Sequence, residues 1–136
     1  MINNEISEKD AEYWLDRAES YWDQSNRNEQ AAKETMNFIE KAININPLNY
    51  RAWSDKGYIL KQLGELETAL LCLDRSLALN RDFVGSWYNK GVLLGLLGRF
   101  DEALNCYQEV LKHEPEHELA QRDMNVLLQF VKPEKK

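Results

Sequence analysis

The chain has little of what secreted, membrane and metal-binding proteins depend on. Its 136 residues include only two cysteines, two histidines and three prolines. No apolar run approaches the roughly 18 residues that cross a membrane. The N-terminal stretch, Met1 to Glu5, lacks the basic and apolar segments of a signal peptide. We therefore expect one domain that is cytoplasmic and does not associate with a membrane.

Positive charge is also scarce. Seventeen Lys and Arg residues stand against 23 Asp and Glu residues, which gives a net charge of -6. No basic stripe runs along any predicted helix, and Lys132, Lys135 and Lys136 form only a short basic tail. Because attraction to phosphates dominates nucleic-acid binding, the sequence predicts no nucleic-acid partner.

Catalytic and metal-binding motifs are missing from the sequence as well. The glycines in 91–98 fit neither a dinucleotide fingerprint nor a phosphate-binding loop, and no serine elbow is present. His113 and His117 have the spacing of two metal ligands on a helix, but Pro115 between them should end the helix. We expect no enzyme, no cofactor and no metal site, and we interpret the two histidines as part of a solvated turn.

What the sequence does contain is a repeat. Between Tyr50 and His117 the same pattern of residues occurs twice, at an offset of 34 residues. Self-similarity at this period is typical of a solenoid, in which each unit covers its apolar face with its neighbour. The matching residues include Trp53 and Trp87, Lys56-Gly57 and Lys90-Gly91, Leu63-Gly64 and Leu97-Gly98, Ala69 and Ala103, and Cys72 and Cys106.

These residues resemble the tetratricopeptide repeat family, whose helix-turn-helix unit reads W-x2-L-G-x2-Y, then A-x3-F, then P. The third unit here has Trp87, Gly91, Ala103, Tyr107 and Pro115 at the matching positions. In both complete units Lys replaces the family Leu before the glycine, and Leu replaces the family Tyr. The resemblance implies an all-α fold, a right-handed α-solenoid of about three helical hairpins and a C-terminal capping helix, with seven helices and no strand.

The repeat also divides the chain. The first repeat is divergent, and we expect its first helix to begin after Ser7 and about five extra residues, 25–29, to separate its two helices. The expected segments are the first repeat at 7–46, the second at 50–83, the third at 84–117, the capping helix at 118–131 and the basic tail at 132–136.

The two cysteines occupy the same repeat position on successive helices. Packed helices lie about 8 to 10 Å apart, whereas a disulfide needs Cα atoms within about 7 Å. We therefore predict that Cys72 and Cys106 are both reduced and structural.

The resemblance further implies which residues line a concave groove. In this family the first helix of each hairpin lines the groove at defined distances from the repeat Trp, and the last helix continues the pattern. The same rule also places Leu15, Trp22, Asp23 and Ser54 there. The implied groove residues that we single out are Glu12, Asp16, Glu19, Arg51, Asp55, Tyr58, Lys61, Tyr88, Asn89, Val92, Leu96, Leu119, Val126 and Phe130.

The groove residues differ along the chain. Those of the first unit are mostly acidic, those of the second are mixed and polar, and those of the third unit and last helix are largely apolar. The last helix carries a second apolar stripe, formed by Leu119, Val126 and Phe130, although a surface helix needs only one. Such a surface usually marks an interface.

We therefore predict a non-catalytic adaptor or scaffold that binds another protein through a peptide or helical segment. The segment would be basic at one end and apolar at the other, to match the acidic and apolar halves of the groove. The alternative is a homodimer, in which a second copy of the chain covers the C-terminal apolar face.

One family function is not expected. Members that bind the acidic C-terminus of heat-shock chaperones hold it with a carboxylate clamp of Lys, Asn and Arg side chains. The matching positions here are Leu15, Glu19, Asp55, Gly85 and Asn89. None of the clamp cations is present, so we expect no binding of an acidic tail.

Overall fold

The computed structural model describes the backbone of residues 2–131 and the side chains of residues 9–131. This part of the chain forms seven helices and no strand, which confirms the expected all-α class. The predicted basic tail, 132–136, lies outside the described residues. The helices are α1 (Ile2–Gln24), α2 (Glu29–Ile45), α3 (Tyr50–Gln62), α4 (Leu66–Leu79), α5 (Val84–Leu96), α6 (Phe100–His113) and α7 (Glu118–Leu128).

Two helix ends differ from those expected. The helix α1 begins at Ile2 instead of after Ser7, because no glycine or proline precedes Ser7 to stop it. The helix α7 ends at Leu128, short of the expected end. Its last turn tightens there, since the backbone N–H of Phe130 donates to the Leu127 carbonyl three residues back, at 2.9 Å.

The helices pack as successive antiparallel hairpins. The pairs α1 and α2, α3 and α4, and α5 and α6 make the most extensive contacts, and α2–α3, α4–α5 and α6–α7 contacts join one hairpin to the next. In addition, α3 touches α5, α5 touches α7, and the Arg51 side chain of α3 reaches Glu12 of α1. The odd-numbered helices therefore lie side by side along one side of the molecule, which we call the odd-helix face. None of the helices in 2–131 is long and apolar enough to cross a membrane.

The glycines of the repeat act at two kinds of position. Gly64 and Gly98 have φ values of +80° and +77° and follow the ends of α3 and α5, where a left-handed residue closes a helix without steric cost. Gly57 and Gly91 lie where two helices of one hairpin come closest. A Cβ atom on Gly91 would stand 2.8 Å from the ring of the buried Tyr107.

The first hairpin turns without a glycine. Arg27 takes the left-handed conformation there, with φ of +55°. The Asn28 side chain then caps α2 by accepting a 2.8 Å hydrogen bond from the N–H of Ala31. A polar cap of this kind replaces the tight glycine turn of the later hairpins.

The core consists of two adjoining clusters of buried side chains. One is formed by α1, α2 and α3, with Leu15, Ile39 and Ile59 among its buried members. The other extends from α3 to α7 and contains both cysteines, which are free thiols. Burial raises the pKa of the Cys106 thiol to about 11.

Candidate functional site

Arg51, in the first turn of α3, joins three carboxylates of α1. One terminal nitrogen contacts Glu12, and the other lies 2.9 Å from Glu19 and 3.6 Å from Asp16. Glu12 also accepts a 2.8 Å hydrogen bond from the side-chain amide of Asn49. The spacing of the three acids puts them on one face of α1, so a single guanidinium reaches all of them. We call these four residues, Arg51 with Glu12, Asp16 and Glu19, the Arg51 cluster.

The Arg51 cluster changes the interpretation of the acidic end of the groove. Burial alone would lower the pKa of Arg51, but its hydrogen bond to Glu19 and the nearby carboxylates outweigh burial and raise that pKa. The guanidinium therefore stays charged and neutralises part of the acidic surface. The sequence contained both partners, but nothing in it showed that one cation on the second hairpin pairs with three acids on the first.

A cavity of about 360 Å³ lies next to the Arg51 cluster. Helices α1, α2 and α3 supply most of its wall, and Asn89 of α5 contributes as well. Trp22 and Tyr58 line it with their rings edge to face, 6.2 Å between centroids. Glu19 and Asp55 add two carboxyl groups to the same wall. We call this space the Trp22 cavity.

Two buried polar atoms of the Trp22 cavity residues have no hydrogen-bond partner among the described residues. They are Nε1 of Trp22, a side chain that is only 6% exposed, and Oδ2 of Asp55. The other repeat tryptophans behave differently: Trp53 donates to the Pro47 carbonyl at 2.7 Å, and Trp87 makes the equivalent bond at the same distance. A buried polar atom without a partner is costly, so the two unpaired atoms need an explanation.

The Asp55 carboxyl group also has an unusual pKa. Burial raises its pKa well above the ordinary aspartate value, and the neighbouring Glu19 raises it further. The positive charge of Arg51 opposes these effects without cancelling them. Asp55 and Glu19 thus form a pair of carboxyl groups in which ionising both is unfavourable.

The middle of the odd-helix face is held together by polar and aromatic contacts. Lys61 places its ammonium 4.8 Å from the centre of the Tyr58 ring, and burial lowers the pKa of Lys61. The Tyr88 hydroxyl donates to Asp123 of α7 at 2.7 Å. Burial and this hydrogen bond raise the pKa of Tyr88 to about 12. Tyr88 therefore links α5 to α7, and it is already engaged within the fold.

The predicted apolar residues separate into two groups. Tyr88 and Val92 are half-buried against the second core cluster. The others are exposed: Leu96 by 61%, Leu119 by 46%, Val126 by 48% and Phe130 by 63%. Exposed apolar surface is thus concentrated toward the C-terminal end of the odd-helix face.

Phe130 lies beyond the end of α7. Its ring centre is 6.0 Å from that of Phe100, the first residue of α6. The exposed apolar surface therefore continues from Val126 around the end of the third hairpin instead of staying on α7 alone. The first apolar stripe of this helix is formed in the sequence by Ala120, Met124, Leu127, Leu128 and Val131. Of these, Ala120, Met124 and Leu127 pack inward, whereas Leu128 is exposed.

Three residues that the family rule placed in the groove lie in the core instead. Leu15, Trp22 and Ser54 are 0%, 6% and 3% exposed. In α1 the buried residues Ala11, Leu15, Ala18 and Trp22 follow one another at spacings of three and four, which is the pattern of a single buried helix stripe. That pattern was present in the sequence and would have placed Leu15 correctly.

The side chains of the two histidines contact different groups. Nδ1 of His117 accepts a 3.1 Å hydrogen bond from the N–H of Ala120 and so caps α7. Nε2 of His113 lies 3.7 Å from Asp82. Within the part of the chain that the structure describes, no three His, Cys, Asp or Glu side chains are grouped to hold a metal ion.

Comparison with known families agrees with this architecture. Residues 38–70 and residues 85–117 each match a tetratricopeptide repeat model. The chain therefore contains tetratricopeptide repeats. The match at 85–117 covers the third hairpin and the four residues after it. The match at 38–70 begins inside α2 and extends into α4, so it starts at a different point of the repeat from the unit expected at 50–83. Comparison with curated proteins gave no match.

Solved tetratricopeptide repeat structures share the fold. The first such domain of Spaghetti (RPAP3), bound to the HSP90 peptide SRMEEVD, is 20% identical with a TM-score of 0.83, over 90% of this chain and 96% of that one. The domain of Arabidopsis OM64 is 16% identical with a TM-score of 0.83, over 92% and 99%. MamA is 18% identical with a TM-score of 0.77, over 88% of this chain and 67% of that one.

Proposed function

We propose that the odd-helix face is a groove that binds a peptide or helical segment of another protein, so that the chain works as a non-catalytic adaptor or scaffold. The observation that carries the proposal is the contrast along this face. The Arg51 cluster and the Trp22 cavity occupy one end, and exposed Leu96, Leu119 and Val126 occupy the other. Peptide binding by the Spaghetti domain of the same fold supports it.

The charge of the N-terminal end favours a basic segment. Five carboxyl groups lie in the Arg51 cluster or line the Trp22 cavity, and two arginines accompany them. The excess is three negative charges (5 − 2) when all are ionised and two (4 − 2) when Asp55 is protonated. Such an excess steers a cationic partner and fixes its direction. The groups counted are Glu12, Asp16, Glu19, Asp23 and Asp55, with Arg27 and Arg51.

The apolar end is expected to supply most of the affinity. Complete burial of a large apolar side chain contributes about 1.5 to 3 kcal/mol, and the half-exposed Leu119 and Val126 would gain a fraction of that. An exposed ion pair contributes roughly 0.2 to 1 kcal/mol. Association and ordering cost several kcal/mol. The apolar contacts are therefore needed for stable binding, whereas the acidic end selects orientation.

The same charges argue against an acidic ligand. The peptide SRMEEVD in the Spaghetti complex carries three acidic side chains. In this chain a segment of that composition would meet Glu19 and Asp55, and like charges brought together in a partly desolvated site repel. We expect no measurable heat when SRMEEVD is titrated into this protein in a calorimeter.

A matched pair of leucine substitutions tests the groove. Peptides are first selected from a random display library on the immobilised protein, and their affinities are then measured with Leu96→Asp and Leu71→Asp. Leu96 is 61% exposed on α5, and Leu71 is 69% exposed on α4, away from the odd-helix face. We expect basic and apolar peptides that lose at least about tenfold in affinity with Leu96→Asp only, since one leucine contact is worth about 1.4 kcal/mol or more. Equal effects of both variants would contradict the groove.

The second candidate is a homodimer through the C-terminal apolar face. The exposure of Leu119, Val126 and Phe130 favours it, because two copies related by a two-fold axis would cover the same residues on each other. Sedimentation equilibrium over a wide concentration range, with Phe130→Asp in parallel, decides the matter. A dimer that this substitution dissociates would assign the face to self-association, and a monomer throughout would leave it for another protein.

A further inference from the structure

The three repeats carry a cation at one shared position. It is the third residue after the repeat Trp, where the tetratricopeptide repeat family has Leu, and it is occupied by Arg17, Lys56 and Lys90. Nζ of Lys56 lies 2.8 Å from Glu40 of α2, and Nζ of Lys90 lies 2.7 Å from Asp74 of α4. In each pair the acid belongs to the second helix of the preceding hairpin. The same kind of ion pair therefore joins the first hairpin to the second and the second to the third.

Arg17, which is exposed on α1, differs from the two lysines. Its guanidinium carbon lies 5.7 Å from the ring centres of Tyr13 and Phe38, and one terminal nitrogen donates to the Tyr13 hydroxyl at 3.3 Å. Among the side chains of residues 9–131, no carboxylate pairs with it. A guanidinium has five N–H donors, so these contacts leave donors for an ion pair. At the other end of the series both positions are uncharged, because Gln108 and Met124 stand where the acid and the cation would be.

The surface around Arg17 corresponds to the one that a preceding helix covers in the later hairpins. Ala52 and Ile59 of α3 belong to the buried cluster formed with α1 and α2, and Ser86 of α5 shares a 2.6 Å hydrogen bond with Ser76 of α4. Tyr13 occupies the position of Ala52 and Ser86, but it is 52% exposed. A cavity of about 390 Å³ lies over this part of the first hairpin. Six of the residues that line it define what we call the N-terminal face: Tyr13, Arg17, Ser20, Tyr21, Gln24 and Phe38.

We propose that the N-terminal face docks an amphipathic helix of another protein, as α2 covers α3 and α4 covers α5. The docking helix carries a carboxylate that pairs with Arg17, and apolar side chains that cover the rings of Tyr13, Tyr21 and Phe38. Charge complementarity identifies the acid, because a carboxylate meets the equivalent cation at both occupied interfaces within this molecule. The partner thus adds one helix to the N-terminal end of the solenoid.

The helices at the two occupied interfaces define the sequence pattern of the partner. Each has an apolar residue four positions before its acid and another three positions after it. These spacings put the three side chains on one face of a helix. The residues are Met36, Glu40 and Ile43 in α2, and Leu70, Asp74 and Leu77 in α4.

The composition of the N-terminal face suits a partner that binds reversibly. Where the later hairpins have the buried residues Ile59 and Leu93, the first has exposed Ser20, which accepts a 3.0 Å hydrogen bond from Gln24. These polar groups keep the face compatible with water while it is vacant. Tyrosine and arginine are also the residue types that contribute most at protein–protein interfaces. The face therefore resembles a reversible interface more than an interrupted core.

A second copy of this chain supplies a poorer occupant. The exposed stripe of α7 has the same spacing of an acid and two apolar residues, in Leu119, Asp123 and Val126. However, the Asp123 carboxylate already accepts a 2.7 Å hydrogen bond from Tyr88 and pairs with the neighbouring arginine. A partner helix whose acid is unengaged supplies what Arg17 lacks.

A helical peptide tests the docking site. The probe is a capped peptide of residues 28–46, which includes α2 and its N-cap Asn28. Phe38→Gln and Ile39→Gln in the peptide make polar the side that faces α1 in the folded protein. A hydrocarbon staple between positions 37 and 41, both exposed in the protein, holds it helical, since isolated helices of this length are marginal in water. The control peptide carries Glu40→Gln as well.

Each peptide is titrated into ¹⁵N-labelled full-length protein, and the backbone amides are followed by NMR. We expect the probe to cause saturable shifts in α1 around Arg17 and in α2 around Phe38, at concentrations up to about 1 mM. The control peptide should bind at least about threefold more weakly, because it cannot form the ion pair. Arg17→Gln in the protein should remove this difference between the peptides, whereas Lys112→Gln, which removes a charge from an exposed position of α6, should preserve it.

Four results would overturn the docking site. They are the absence of saturable shifts, equal binding of the two peptides, a difference between the peptides that persists in Arg17→Gln, and shifts confined to α3, α5 and α7. Shifts of the same α1 amides on concentrating the protein without peptide would assign the face to a second copy and also contradict the proposal. None of the six residues of the N-terminal face is among the proposed groove residues. Failure of either surface therefore leaves the other unaffected.

Discussion

Replacing Gly91 by alanine tests how closely the helices of a hairpin approach. A Cβ atom at this position would lie 2.8 Å from Cε1 and 3.0 Å from Cζ of Tyr107, whose side chain is buried. Overpacking of this kind costs about 1 to 3 kcal/mol. The greater helix propensity of alanine returns about 0.5 to 1 kcal/mol. We expect Gly91→Ala to destabilise the protein.

Gly95→Ala is the matched control on the same helix. No atom lies within 4 Å of a Cβ at Gly95, so only the helix-propensity gain applies. The free energies of unfolding of the two variants should therefore differ by about 1 to 3 kcal/mol, with Gly95→Ala the more stable. Urea unfolding followed by circular dichroism measures this difference, provided the two variants have the same slope. Equal midpoints, or a more stable Gly91→Ala, would refute the close-contact explanation.

Three further predictions concern groups inside the fold. Ser76→Ala should lower the free energy of unfolding in urea by about 1 to 3 kcal/mol, because it removes the hydrogen bonds of the Ser76 hydroxyl to the buried Ser86 hydroxyl and to the Tyr50 carbonyl. A change under about 0.5 kcal/mol would contradict this. Cys72 and Cys106 should resist alkylation at pH 8 until urea unfolds the protein, because both are buried with raised thiol pKa values; rapid labelling of the folded protein would show that they are accessible. Since the pKa of Asp55 is raised in the folded state, the contribution of Asp55 to stability should fall as pH rises from the unfolded-state pKa, about 4, through the higher folded value. Wild type should therefore lose stability relative to Asp55→Asn over that interval, and a difference between the two proteins that does not change with pH would contradict the burial of Asp55 beside Glu19.

The repeat made most of the fold predictable. A 34-residue offset between matching residues specifies that the same hairpin occurs twice, and Gly64 and Gly98 mark the ends of its first helices. These are local signals, since a left-handed turn needs glycine whatever surrounds it. The ends of α1 and α7 were less predictable because neither carries such a stop residue. Their limits depend on what the terminal residues pack against.

The site was predictable only in part, because its properties depend on contacts between hairpins. The sequence itself shows acidic residues on α1 and apolar residues near the C-terminus. It did not show that Arg51 crosses from α3 to neutralise the acids, or that Tyr88 is held by Asp123. The pairing of Trp22 with Asp55 around one cavity joins residues that are far apart in sequence. Sequence periodicity assigns a residue to a helix face, but it does not show which partner from the next helix is in reach.

Mapping a bound peptide by NMR tests the central claim most directly. A display-selected peptide would be titrated into ¹⁵N-labelled protein, and the backbone amide shifts assigned to each helix would be compared. The groove predicts that perturbed amides are concentrated in α1, α3, α5 and α7, and extend from the Arg51 cluster to Leu96. Perturbations concentrated in α2, α4 and α6, or confined to the region around Phe130, would contradict binding along the odd-helix face.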